Sequence, residues 1–244
     1  MNSPMWNKFD TVAVLPFVGY AEKRWAALEA ELARVGMPPE IVNVRWQTST
    51  PSDGVLLRNT PHVRMLERGG FMNSLLAHYR AVRTAYFLGC RSILVLEDDV
   101  RFIRDVGKLA DAIDALPTNA DLALFDWVER GKWTPEGVDA LENAPFVRTP
   151  WKRFTDLRSA ACYALSRDGM EALLDLVDAA FCGNGKLRVT DQYWPHLVER
   201  GLNCYCAFPC VAVQGVANAA TLSDMNNMWS RYSLHRIDRN DYAD

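Results

Sequence analysis

The chain has 244 residues, 49% of them hydrophobic and 23% charged, with a formal net charge of −3 at neutral pH. That length suits one large α/β domain better than two small ones, and the composition is that of a globular protein with a substantial core. No basic excess advertises a nucleic-acid partner, no apolar run approaches the roughly 20 residues of a membrane span, and the opening "MNSPMWNKFD" lacks the charged-then-apolar order of a signal peptide, so a soluble, cytoplasmic protein is expected.

In chain order, "TVAVLPF" (Thr11 to Phe17) is a short apolar run ended by proline and reads as a buried strand. Trp25, Leu28, Leu32 and Val35 then recur at helical spacing and Gly36 closes the pattern. "IVNVRW" reads as a second strand, and residues 48–68, rich in Ser, Thr, Pro, Gly and Arg, as a loop. Leu75, Tyr79, Val82 and Tyr86 predict a helix over 71–88, followed by the strand "SILVL". Val106 to Leu116 reads as a helix stopped by Pro117, and "ADLALFDW" as a fourth strand. Residues 129–156 show no clear period. "SAACYAL" reads as a strand, and Ser166 as the N-cap of a helix carrying Met170, Leu173, Leu174 and Val177. Thr190 to Arg200 reads as a further helix with Pro195 near its first turn. Strands alternating with helices predict an α/β sheet, parallel where helices cross over, with ligands bound beyond the carboxyl ends of the strands.

Six cysteines in a chain of this size without an export signal are expected to be reduced thiols. The spacing of Cys204, Cys206 and Cys210 matches no common zinc pattern, and the alternation in "NCYCAF" predicts a strand with small buried side chains.

The third strand runs straight into Glu97, Asp98 and Asp99. If the chain stays extended, Glu97 and Asp99 share one face and Asp98 points away. Clustered carboxylates suit a hard cation such as Mg²⁺ or Mn²⁺, which binds one or two of them and fills its remaining positions with phosphate oxygens and water. A solvated acidic turn is the plainer alternative.

"RGGFMNSLLAHYRAVRTAYFLGCRSILVLEDDVRF" resembles the core of family 25 glycosyltransferases through Gly70, His78 and Glu97-Asp98-Asp99. Further matches follow in the family's order: the strand "NADLALFDW", the segment around Tyr163, Ser166, Arg167 and Gly169, the Asp-led "TDQYWPHL", and the ending "PCVAVQGVANAATLSD". The chain departs from the pattern in its opening, where Arg24 alone stands in a comparable place. It departs again in the turn Gly70-Phe71-Met72-Asn73-Ser74, and at Ala77 in place of the Ser that precedes the histidine. The resemblance implies a single GT-A domain over 1–225 with a mixed, mainly parallel sheet, followed by a polar tail over 226–244. It implies a UDP-sugar donor and inverting transfer of a hexose to a saccharide hydroxyl, on an acceptor that could be lipid-linked or a lipopolysaccharide core.

On that basis Asp99 and Asp98 are the expected metal ligands, for Mn²⁺ or Mg²⁺. Glu97, Asp98, Arg24, His78 and Gln214 are the expected cofactor or nucleotide contacts, with Ser223 and Asp224 closing over the donor. Asp191 is the first candidate for the base, although a carboxylate opening a helix is expected to be held low by the helix dipole; Asp126 and Glu129 come next. A core histidine satisfied by a hydrogen bond is the alternative for His78. The basic stretch "VRTPWKRFTDLR" interleaves Trp151 and Phe154. It reads either as a solvated loop or as a surface where acceptor rings stack on aromatics and phosphates, or a peripheral membrane, meet the cations. Two other function classes stay open: a non-catalytic nucleotide- or glycan-binding module, favoured by the altered 70–74 turn, and a nucleotidyltransferase, disfavoured by the single glycine in "PFVGYAEKR".

Overall fold

The computed structural model describes residues 4–15, 21–45, 70–129, 151–155, 157–208 and 210–214, and of residues 21–24, 43–45, 70–73, 128, 129, 213 and 214 the backbone alone. The central sheet is laid down by β1 (Thr11–Leu15), β2 (Val42–Arg45), β3 (Ser92–Glu97), β5 (Leu122–Leu124), β7 (Trp151–Arg153), β9 (Cys162–Ser166) and β10 (Cys204–Ala207). Two two-stranded ladders flank it. One pairs β4 (Val100–Phe102) with β11 (Ala212–Gln214), and the other pairs β6 (Val128–Glu129) with β8 (Leu157–Arg158).

The strand order is β2-β1-β3-β9-β5-β10-β7. Strands β2, β1 and β3 pair in parallel, as do β5 and β10, while β9 runs antiparallel to both β3 and β5, and β7 runs antiparallel to β10. Five of the seven strands therefore point one way. The alternation of elements predicts the α/β sheet, and the resemblance implies its mixed, mainly parallel order.

Helices cover both faces, so the inner strands are apolar on both sides, as buried parallel strands must be. In β3, Ile93 and Val95 face one core and Leu94 and Leu96 the other. The first core is closed by α2 (Gly70–Phe87), α4 (Arg167–Phe181) and α5 (Trp194–Glu199). The second is closed by α1 (Ala21–Arg34), α3 (Val106–Asp114) and the short 3₁₀ turn Pro4–Lys8, whose Trp6 is wholly buried.

Local chemistry sets the ends of the helices. Asp105 caps α3 by accepting from the N–H groups of Gly107 (2.9 Å) and Lys108 (3.1 Å). Ser166 caps α4 as predicted, accepting from Gly169 N at 3.1 Å while its hydroxyl donates to Asp121 Oδ1 at 3.0 Å. Gly169 is required there, because a Cβ would overlap the Asp121 carbonyl oxygen. Thr190–Tyr193 is a 3₁₀ turn that leads into α5, with Pro195 in the first turn of that helix.

In the described part of the basic stretch, residues 151–155 and 157–158, the two aromatics are not exposed for stacking. Trp151 and Phe154 are 6% and 9% exposed, and Trp151 Nε1 donates to Ala112 O at 2.7 Å. Trp151 belongs to β7, which pairs with β10, and its ring lies in the core behind that strand. Cys204 and Cys206 are both buried in β10, as the alternation predicted.

Candidate functional site

Three strand ends meet at one edge of the sheet. β3 stops at Glu97 and β5 runs out through Phe125 to Asp126. Because β9 is antiparallel to both, its beginning, residues 159–161, lies at that same edge. Glu97 N donates to Ala161 O at 2.8 Å and Phe125 N to Cys162 O at 3.0 Å, which binds the three ends together. Ligands are expected beyond this edge of an α/β sheet.

Glu97 continues the Ile93–Val95 face, so its carboxylate points towards α2. There His78, 1% exposed, lies with Nε2 3.2 Å from Glu97 Oε1 and Nδ1 2.9 Å from the Tyr163 hydroxyl. Burial, reinforced by the Glu97 charge, pushes the Tyr163 hydroxyl well above its ordinary pKa, so it stays protonated and donates. The consistent assignment has Tyr163 donating to Nδ1 and His78 Nε2–H donating to Glu97. Tyr163 also packs on Trp194, ring centroids 4.9 Å apart.

The extended alternation does not continue past Glu97. Asp98 and Asp99 form the turn between β3 and β4, and both are buried, at 2% and 7% exposure. The expectation that Glu97 and Asp99 share a strand face fails because the strand ends at the first of the three acids. Buried carboxylates are hard oxygen donors. Among the described residues, no group of three or more His, Cys, Asp or Glu side chains could close a cage around a metal ion. Two adjacent buried carboxylates have the chemistry of hard-cation ligands, and the described side chains alone do not enclose such an ion.

Asp126 is 7% exposed and accepts from the Ser159 hydroxyl at 2.7 Å. Burial pushes its carboxyl up to about 7, with Glu97 adding to the rise and hydrogen bonds from Ser159 and the Trp127 N–H opposing it. Asp191 is half-buried in the Thr190–Tyr193 turn, and its Oδ2 accepts from Ser159 N at 3.4 Å. Burial raises its carboxyl too, against the Ser159 N–H, Arg158 and His78, with Glu97 again pushing upward. The expected lowering by a helix dipole does not occur: the turn is four residues of 3₁₀ helix, and desolvation outweighs it.

The structure thus brings Glu97, Asp98, Asp99, Asp126, Asp191 and His78 to one edge. The side chains of Arg24, Glu129 and Gln214 lie outside the described residues, as do Ser223, Asp224 and the 226–244 tail. Two members of the site were not assigned a role from the sequence. Tyr163 stood only as a motif position, and Ser159 as the first residue of a strand. No helix among the described residues is long and apolar enough to cross a membrane.

No family model matches the chain, and no curated protein does. Solved structures overlap it loosely. One is a glycosyltransferase involved in glycosylation of the major capsid of PBCV-1, 12% identical, covering 91% of this chain and 99% of its own, with a TM-score of 0.45. Another is the apo-form glycosyltransferase GlyE of Streptococcus pneumoniae TIGR4, 12% identical, covering 92% of this chain and 60% of its own, with a TM-score of 0.46. A third is CMP:2-keto-3-deoxy-manno-octonic acid synthetase complexed with CTP, 14% identical, covering 91% of this chain and 99% of its own, with a TM-score of 0.42. Scores and identities this low leave the chemistry of this chain to be argued from its own residues.

Proposed function

We propose that the chain is a glycosyltransferase of GT-A type that moves a hexose, galactose or glucose, from a UDP-sugar to a saccharide hydroxyl with inversion. The observation that carries this reading is the division of labour among the carboxylates at one sheet edge. Two are buried in a turn and suited to a cation, and one is half-buried with a raised pKa and suited to proton transfer. The ordered resemblance to family 25 glycosyltransferases supports it.

Asp98 and Asp99 would hold Mg²⁺ or Mn²⁺, which supplies a Lewis acid for the diphosphate. Glu97, held by His78, lies on the nucleotide side. In the transfer, the acceptor oxygen bonds to the anomeric carbon as the bond from that carbon to the phosphate oxygen breaks, and the electron pair leaves with UDP. Asp191 takes the proton of the acceptor hydroxyl. Burial raises its carboxyl above the ordinary value, and a carboxylate with a raised pKa is a stronger base than an ordinary one, which suits that task.

The test is thermal unfolding with UDP and Mn²⁺, with chelator, and with Asp99→Ala. A ligand at about 100 times its Kd stabilises the folded state by about 2.7 kcal/mol, a rise of several degrees in a chain of this size. The expected result is a metal-dependent rise lost in the variant, followed by sugar transfer in a donor and acceptor screen. A rise without transfer would indicate a binding module, and diphosphate release without a transferred sugar a nucleotidyltransferase. No rise with any nucleotide would sink the donor site.

A further inference from the structure

Ser159 has φ of 95°, the one non-glycine residue with positive φ among those described. An L side chain there is strained, and such strain persists where the surroundings over-determine the residue. Ser159 is held on every polar atom. Its carbonyl accepts from Trp194 Nε1 at 2.7 Å, its N–H reaches Asp191 Oδ2 at 3.4 Å, and its hydroxyl donates to Asp126 Oδ2 at 2.7 Å and accepts from Ala161 N at 3.4 Å.

The topology explains the bend. β8 pairs with β6 outside the main sheet, whereas β9 lies between β3 and β5. The chain must change ladders between Arg158 and Cys162. On the facing segment the same change falls at Asp126, between β5 and β6. A glycine would make the turn without strain, but it would bring no hydroxyl to Asp126.

We propose that Ser159 is a positioning residue that couples the two acids, its hydroxyl fixing the buried Asp126 and its backbone N–H aiming the half-buried Asp191 at the acceptor. The service to a reaction rests on the glycosyl-transfer reading; the coupling is a property of the site whatever the reaction. Asp126 is faced by Ser159, the Trp127 N–H, Glu97 from β3 and Cys162 from β9. Asp191 is faced by Ser159, Arg158, Glu97 and His78. Glu97 acts on both through its charge, and among the described residues only Ser159 hydrogen-bonds to both.

The experiment is a carboxyl ¹³C NMR titration of the metal-free full chain, with the two signals assigned by Asp126→Asn and Asp191→Asn. Ser159→Ala removes the hydroxyl and keeps the backbone. Ser159→Gly removes the hydroxyl and frees the backbone, and it folds without strain. The alanine variant should raise the Asp126 midpoint by about one unit and leave Asp191 in place. The glycine variant should raise both. In turnover, the glycine variant should lose kcat by ~10- to 100-fold with the donor KM unchanged, its acid limb moving to higher pH. A role confined to folding would move stability and leave midpoints and limb alone. If Asp126 does not move in the alanine variant, or Asp191 does not move in the glycine variant, the coupling is overturned. If nucleotide binds but no variant and no wild type transfers sugar, the glycosyl-transfer reading falls, and the midpoints still uphold or overturn the coupling.

Discussion

Glu31 and Asp126 are buried to nearly the same degree, 8% and 7% exposed, and their surroundings are opposite. Glu31, on α1, accepts from Arg34 Nη2 at 2.7 Å, from Arg34 Nε at 2.9 Å and from Phe102 N at 2.7 Å. Arg34 in turn donates to the carbonyls of Phe102, Ile103 and Arg104, stitching the helix to β4. Asp126 has a hydroxyl and a backbone N–H, and among the described residues no cation within ion-pair reach. The first carboxylate is compensated and structural. The second is desolvated within reach of the Glu97 charge, and its own charge is a burden on the fold. Burial alone does not mark a functional acid; what offsets the buried charge does.

The sharpest way to break this contrast is Asp126→Asn. Burial pushes the folded carboxyl up to about 7 from the ordinary 3.8. Below 3.8 both states are protonated and the fold carries no cost. As pH rises towards 7, the unfolded chain ionises first and stability falls by about 1.36 kcal/mol per unit; above 7 the loss levels off at roughly 4 kcal/mol. The asparagine variant lacks that slope. With chelator present, its denaturant midpoint should equal that of wild type near pH 4 and exceed it increasingly up to pH 8, while activity falls. Parallel stability curves would mean that Asp126 is compensated like Glu31.

Glu31→Gln tests the other half. The amide keeps one acceptor and turns its NH₂ against the guanidinium. Arg34 is about one-third exposed and can recover water, so the cost is placed below that of breaking a fully buried pair, at about 2–3 kcal/mol. That corresponds to a fall in Tm of about 5–10 °C. The nucleotide-dependent rise in Tm should be preserved. A loss under about 0.5 kcal/mol would show that the Arg34 fork contributes no more than a surface pair.

Much of the frame was readable in the residues. β1 and β3 are unbroken apolar runs, α2 keeps its period over five turns, and Ser166 carries its cap in its identity. The acids at the end of β3 were readable for the same reason, since a core strand that ends in three carboxylates is a local signal. What was not readable depends on partners distant in sequence. Trp151 looks like a loop aromatic until β10 is placed beside it, because a three-residue edge strand has no period. The Asp98–Asp99 turn carries no Gly or Pro to announce it. Asp191 was weighed as a helix-opening residue, and its environment is set instead by burial against β9. Ser159 adopts a backbone that local sequence would assign to glycine, and only the two acids on either side account for it.

The smallest expected effect concerns the polar chain from Tyr163 to Glu97, which lies between the two extremes. Its groups are buried like Glu31, yet it ends on a carboxylate of the candidate site. Tyr163→Phe keeps the ring on Trp194 and removes the hydroxyl that, among the described residues, alone donates to the buried His78 Nδ1. The cost is about 1–2 kcal/mol, or a fall in Tm of about 3–6 °C. Without that donor the imidazole is no longer held in the tautomer that donates from Nε2, so Glu97 loses a fixed partner. Donor KM should then rise by ~3- to 10-fold with kcat little changed, because Glu97 is assigned to the nucleotide and not to proton transfer. A loss of stability with KM unchanged would place the chain with Glu31 as scaffold. A loss of kcat instead would put His78 and Glu97 on the path of the proton, and Asp191 would no longer be the first candidate for the base.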